Sequence, residues 1–431
     1  TEAVALAGGL DGIVKYGDTV VLKPNIIVTN YSWGYGPTIP ETVNGVCTDW
    51  RVVQATAELV RKIVGPKGTA GAGKILVIEG SGNGSTSVNF INVGYTPANL
   101  SAVDEIIALD NEGAWVEAGN PDGGSVTRVA LDNFLYKTAS GAYTAYYKND
   151  GVYYVNTKMY EADALICLPA LKNHWDAVVT GSIKNIAIGA SPPSVYGINN
   201  STIGRNNMVN HSSINFHDWI ADYFSCMPAD FVIMDGLQGL ENGPLPGGAN
   251  LAPSQKNMRC ILASKDALAL DTVETNIINW DYTTVRYLTY LTERGQVGTN
   301  PKKPKITIRG NPQNITVLGN IKVDDIRTNF NGNLPMSGGD KLTAAQLAKP
   351  TLSITQAAFS GQNLNLTLDI SPDTVKIDIY IDDIFAGSVN KDMEHIILSA
   401  AALSGGSHTI ELRSYTQYMC HATASTTAVK L

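Results

Sequence analysis

The chain of 431 residues carries 31 Lys and Arg against 39 Asp and Glu, a net charge of −8, and 44% of it is hydrophobic. That length implies two domains or three, and that apolar share excludes a globally disordered chain. With 16% charged residues and an acidic balance, the chain has no basic footprint for nucleic acid, and no apolar run is long enough to span a membrane.

Residues Asp18 to Asn25 read as a buried strand closed by Pro24. From Asp49, a good N-cap, Trp50, Val53, Ala57, Val60 and Val64 recur at helical spacing, and Gly65-Pro66 ends the helix. Lys74–Glu79 is the next strand. The Gly-rich loop after it offers the N–H groups of Gly80 and Gly82 as a cradle for an anion, without Gly-x-Gly-x-x-Gly spacing or a Walker lysine. Residues 113–160 break the rhythm with Gly-Gly and Tyr pairs and read as an inserted β-hairpin. Buried strands follow at Ala164–Leu168, Phe231–Met234 and Ile261–Ala263, and Asp266 or Asp271 caps a helix behind the last. Apolar strands alternating with helices predict an α/β domain over residues 1–340, its mostly parallel sheet covered by helices on both faces.

A Gly/Asn/Pro-rich stretch, Asn329 to Lys349, reads as a linker. Beyond Pro350, Leu364-Asn-Leu-Thr-Leu368, Val375-Lys-Ile-Asp-Ile-Tyr-Ile381 and His408-Thr-Ile-Glu-Leu412 alternate strictly, which predicts an antiparallel β-sandwich over 350–431. Ile-Tyr-Ile-Asp-Asp followed by Leu-Ser-Gly-Gly-Ser-His-Thr-Ile-Glu-Leu resembles the bacterial immunoglobulin-like modules of extracellular proteins.

The densest polar segment is Leu168-Pro-Ala-Leu-Lys-Asn-His-Trp175 with Thr180-Gly-Ser-Ile-Lys-Asn185, just past the end of a buried strand, where open α/β sheets bind ligands. Lys172, Asn173, His174 and Lys184 there, with Lys23 and Asn25, are candidates to hold an anionic ligand or a metal. Helix capping and loop solvation are the competing reading, and buried unpaired lysines weigh against it. His211 is a candidate metal ligand; His217, six residues on, lacks the spacing of a helical zinc pair and reads as structural. Asp235, at a strand end before a Gly-rich loop, is a candidate base, and Glu241 a candidate metal ligand. Cys47, Cys167, Cys226, Cys260 and Cys420 lie too far apart for a zinc knuckle or an iron–sulfur run. The chain opens at Thr1 without Met, and eight Asn-x-Ser/Thr sequons begin at Asn30, Asn83, Asn99, Asn199, Asn200, Asn210, Asn314 and Asn365. Both suggest a secreted or surface protein whose signal peptide has been removed.

Lys23-Pro-Asn-Ile, Ile78-Glu-Gly, Leu168-Pro-Ala-Leu-Lys-Asn-His-Trp, Thr180-Gly-Ser-Ile-Lys-Asn, Met234-Asp-Gly and Ala263-Ser-Lys-Asp-Ala-Leu-Ala-Leu-Asp271 resemble, in this order, the family catalogued as domain of unknown function 362 over residues 10–300. Many members carry ferredoxin-type segments, which this chain lacks, so no iron–sulfur cluster is implied. A more distant similarity is to the nickel-pincer lactate racemases, on His174, Lys184 ten residues later and His211 beyond. That similarity implies that Lys184 anchors a cofactor, His211 ligates a metal and His174 moves a proton.

Two classes of function stay open. One is a metal- or anion-dependent enzyme of unnamed substrate using the lysine, histidine and carboxylate set. The other, the expectation we favour on sequence, is a structural subunit of an extracellular filament or surface layer that self-associates through the sandwich. A charge-poor, Asn-rich surface repels itself little, and the final strand suits pairing by strand addition.

Overall fold

The computed structural model describes residues 1–27, 45–82, 85–111, 126–130, 152–174, 176–191, 215–244, 251–282, scattered positions between 285 and 326, and 348–431 apart from 383, 390–392 and 417–420. The elements run α1 (Glu2–Leu6), β1 (Thr19–Pro24), α2 (Trp50–Val64), β2 (Lys74–Glu79), α3 (Thr86–Asn92), β3 (Glu105–Ala108), β4 (Val126–Ala130), β5 (Val152–Asn156), α4 (Thr157–Tyr160), β6 (Ala164–Leu168), β7 (Ala170–His174) and β8 (Val178–Val179). Then come α5 (Ser182–Gly189), α6 (Asn215–Cys226), β9 (Phe231–Leu240), α7 (Leu251–Ser254), β10 (Gln255–Lys256), β11 (Cys260–Ser264) and α8 (Ala267–Ile277).

Parallel strands β3, β2, β1, β6 and β9 lie side by side in that order, and β11 closes the far edge antiparallel to β9. β7 resumes after Pro169 and continues along β9, Ala170 opposite Asp235 and Lys172 opposite Leu240. Successive side chains point to opposite faces of a strand, so each strand feeds two cores. Val20, Leu22, Ile75, Val77, Ile166 and Leu168 pack on the side of α2 and α3. Val21, Leu76, Ile78, Leu165 and Cys167 pack on the side of α5, α6 and α8. The expected helical cover on both faces is what the fold shows. Asp49 caps α2 by accepting from Arg51 N at 2.8 Å, and Asp266 caps α8 through Ala269 N at 3.0 Å. In the inserted segment, β4 and β5 pair antiparallel.

The C-terminal strands are β12 (Leu352–Ser360), β13 (Asn363–Ile370), β14 (Thr374–Ile381), β15 (Ile384–Val389), β16 (His395–Ser399), β17 (Gly406–Thr416) and β18 (His421–Lys430). They form a three-stranded antiparallel sheet, β12-β13-β16, and a four-stranded one, β15-β14-β17-β18. Leu364, Leu366, Ile377, Ile379, Ile396, Leu398, Ile410 and Leu412 fill the space between them. The alternate residues of β14, Lys376, Asp378 and Tyr380, are buried as well, and Tyr380 belongs to the same packed group as the α5 and α6 residues. The expected linker over 329–349 lies mostly outside the described residues.

Candidate functional site

The carboxyl ends of β1, β2, β6 and β9 gather polar groups that the apolar strands would otherwise exclude. Lys23 and Glu79, the last polar residues of their strands, are both fully buried and paired at 2.9 Å. The same ammonium donates to Asn185 Oδ1 at 2.9 Å and to the Pro24 carbonyl at 2.7 Å. Glu79 Oε2 also accepts from Ile26 N at 3.0 Å. Asn185, on α5, receives the Asn25 amide at 3.1 Å and donates to the Pro24 carbonyl at 3.1 Å. One atom of this network is left over, since buried Asn25 Oδ1 has no hydrogen-bond partner.

Backbone proximity demands glycine at one point. A Cβ on Gly189 would lie 2.4 Å from Lys23 Nζ and 2.9 Å from Glu79 Oε1. The glycines after β2 are turned inward too. Gly80 N donates to the Gly189 carbonyl at 3.0 Å and Gly82 N to the Ile26 carbonyl at 3.3 Å, so the N–H groups expected to cradle an anion are committed to the protein.

Residues Gly45–Asp49 form a strap across these strand ends. Thr48 Oγ1 donates to the Leu168 carbonyl at 2.6 Å and accepts from Asn25 N at 2.9 Å. Asp49 N donates to Asp235 Oδ2 at 2.8 Å, while Leu237 N holds Oδ1 at 3.0 Å. Burial pushes Asp235 up to about 6, against the pull of those two backbone donors. The Val46 carbonyl accepts from Lys172 Nζ. Burial depresses this fully buried amine to about 7, with Cys47 opposing the fall and Lys184 adding to it.

Lys184 is buried, its ammonium 5.8 Å from the Phe216 ring centre. His174 Nδ1 accepts from Asp176 N at 3.1 Å and Ala177 N at 3.3 Å, which leaves the ring proton on Nε2. Asn173 Oδ1 takes Gly243 N at 2.6 Å. Of the expected residues, then, Lys23, Asn25, Lys172 and Asp235 meet in one network of strand ends and strap, with Lys184 in electrostatic reach of Lys172. Asn173 and His174 lie beside it on β7. Glu241 sits farther along the β9 segment, bridged to Lys256 at 2.8 Å. His211 lies outside the described residues, so the expected His211–Glu241 metal pair is not drawn from this geometry. Among the described residues, no three His, Cys, Asp or Glu side chains are grouped to hold a metal.

Sequence reasoning passed over Glu79, Thr48, Asn185 and Glu274. Asn185 was legible in its repeated Lys-Asn pair. Thr48 and Glu274 had no signal, because each matters through a partner more than a hundred residues away.

A mostly parallel α/β sheet with a lysine-rich polar cluster at its carboxyl edge, followed by an antiparallel sandwich, defines the class. Residues 20–276 match the family model described as "Domain of unknown function (DUF362)", and the chain belongs to that family. A thylakoid-associated protein of Synechocystis sp. is 25% identical over 329 residues, 76% of this chain and 83% of that one. Among solved structures, the lactate racemase apoprotein of Thermoanaerobacterium thermosaccharolyticum is 12% identical, covering 69% of this chain and 56% of that one at a TM-score of 0.30. Fibronectin(III)-like modules of Clostridium thermocellum CbhA are 15% identical over 18% of this chain and 94% of theirs, at a TM-score of 0.16. The spore cortex lytic enzyme SleM of Clostridium perfringens is 13% identical over 18% of this chain, which spans 27% of that enzyme, at a TM-score of 0.17. Among the described residues, no helix is long and apolar enough to cross a membrane.

Proposed function

We propose that the carboxyl edge of the sheet is the reaction site of an enzyme acting on a small anionic molecule, with Lys172 as the group that moves a proton. The observation that carries this reading is a lysine buried completely at the carboxyl edge of the sheet, its amine held by the Val46 carbonyl of the strap, where burial brings it down to about 7. Burying an ammonium is costly, and a structural lysine is more often left at the surface. A neutral amine at neutral pH can take a proton from a substrate and return it, which is the tuning that general acid–base chemistry requires. Lys184 supplies positive charge for the anion, and His174 lies two residues past Lys172 on β7. Lys23 is compensated by Glu79 and so positions Asn25 and Asn185 rather than meeting the ligand.

The strap closes over Lys172, so ligand entry requires Val46 to release its amine. Calorimetric titration with phosphate, oxalate and acetate tests the reading. At least one should bind, and Lys172→Met and Lys184→Met should each weaken it tenfold or more. Absence of binding by every anion refutes it. A divalent metal here would need donors beyond those described, and no step is assigned to one.

A second reading concerns the sandwich, and β18 favours it. This ten-residue strand lies at the edge of its sheet, hydrogen-bonded to β17 alone among the described strands, with β12 of the other sheet close alongside and Val429 exposed. Edges of that length pair readily with another chain. On this reading the two antiparallel sheets are an immunoglobulin-like module that assembles a secreted protein into a filament or surface layer. Asn365 faces outward from β13 as an available glycan site, whereas the Asn99 amide is engaged with the Gly94 carbonyl at 2.8 Å. Light scattering and negative-stain imaging should show concentration-dependent polymers that Val429→Lys disperses. A strictly monomeric native protein removes this reading and leaves the first intact.

A further inference from the structure

Behind the lysines, α8 presents Asp271 and Glu274 three residues apart on one face, both fully buried. Asp271 is amply met: it accepts from Ser182 N at 2.7 Å, Ser182 Oγ at 2.7 Å and Ile183 N at 2.9 Å, at the positive N-terminal end of α5. Glu274 is met on one side. Its Oε1 accepts from Lys172 N at 3.2 Å, and its carboxylate also takes Gly181 N. Its Oε2 has no hydrogen-bond partner.

Two other oxygens nearby share that condition, Thr180 Oγ1 and Tyr287 OH, each on a fully buried residue. Thr180 is held in this corner because its N–H donates to the Lys172 carbonyl at 3.0 Å, while Gly181 next to it donates to Glu274. The Tyr287 phenol is within electrostatic reach of both carboxylates.

Buried oxygens without partners are rare, and one belonging to a carboxylate is the costliest kind. Three of them come from three different segments, and one belongs to a carboxyl that burial holds well above its ordinary range and whose ionised form a cation would favour. Its charge fixes the class of occupant. With Asp271 engaged by α5, Glu274 can contribute at most one negative charge, whereas calcium is held by six to eight oxygens with several carboxylates and magnesium keeps most of its water. We propose that Glu274 Oε2, Thr180 Oγ1 and Tyr287 OH bind a monovalent cation, sodium or potassium. The ion ties α8 to the Thr180–Ile183 turn and so sets the position of α5, which carries Lys184 and Asn185. This site stands apart from the anion reading and does not depend on it.

Thermal unfolding of the full chain in potassium, sodium and tetramethylammonium chloride at one ionic strength is the test. Potassium or sodium should raise the midpoint by roughly 3–5 °C over tetramethylammonium, saturating with concentration. Glu274→Gln and Thr180→Val should abolish the difference. Should either variant fail to fold, rubidium-soaked crystals of the unaltered protein decide the matter through an anomalous peak among the three oxygens. Equal midpoints in all three salts, or no such peak, overturn the proposal in favour of a trapped water or a protonated Glu274.

Discussion

Lys23→Met would remove the ammonium shared by Glu79, Asn185 and the Pro24 carbonyl while nearly conserving side-chain volume. The cost is electrostatic rather than steric. Lys23 and Glu79 are both inaccessible to solvent, so water cannot screen the carboxylate left behind. Removing one partner of a buried pair costs about 3–5 kcal/mol. At roughly 2 °C per kcal/mol for a domain of this size, the unfolding midpoint falls about 6–10 °C. Neutralising both partners, Lys23→Met with Glu79→Gln, takes away the orphaned charge and should recover at least half of that loss. Calorimetry on the two single variants and the double variant gives the coupling directly. A Lys23→Met protein within about 1 kcal/mol of the parent, or a double variant worse than the sum of the singles, refutes the assignment of Lys23 and Glu79 as a mutually dependent pair.

Gly189→Ala should destabilise by about 1–3 kcal/mol, read by guanidinium unfolding, because its methyl group meets the Lys23–Glu79 pair at less than contact distance. Thr48→Val leaves the Leu168 carbonyl and Asn25 N without their partner and should cost about 2 kcal/mol or more in the same assay. Lys172 sets a pH dependence. Between about 7 and its ordinary 10.5 the unfolded chain holds a proton that the folded chain has released, so stability rises with pH there, by as much as ~5 kcal/mol in full. Lys172→Met should flatten that slope in unfolding measured from pH 7 to 10. Asp271 acts oppositely: raised to about 7 by burial, it makes stability fall as pH rises from about 4 to 7.

Much of the scaffold was legible because its elements are local. The strand Lys74–Glu79 and the Asp49 cap declare themselves by short apolar runs and capping chemistry, and the observed elements start and stop where those signals do. The long-range relations were not legible. Ile261–Ala263 has the same apolar texture as the parallel strands, yet it runs antiparallel to β9, because direction depends on the length and path of the connection rather than on the strand's composition. Asp271 posed the same difficulty at the site. Its sequence neighbours suggest a cap for its own helix, a task that falls to Asp266, while Asp271 caps α5 from 89 residues away. The Gly80–Gly82 loop carries the composition of an anion cradle, but its N–H groups meet carbonyls of β1's exit and α5's end that no local pattern announces.

Tyr380 reaches out of the sandwich into the packed group that holds α5 and α6, flanked along β14 by buried Lys376 and Asp378. Among the described residues that face of β14 is withdrawn from solvent, so any partner of the sandwich meets its other surfaces.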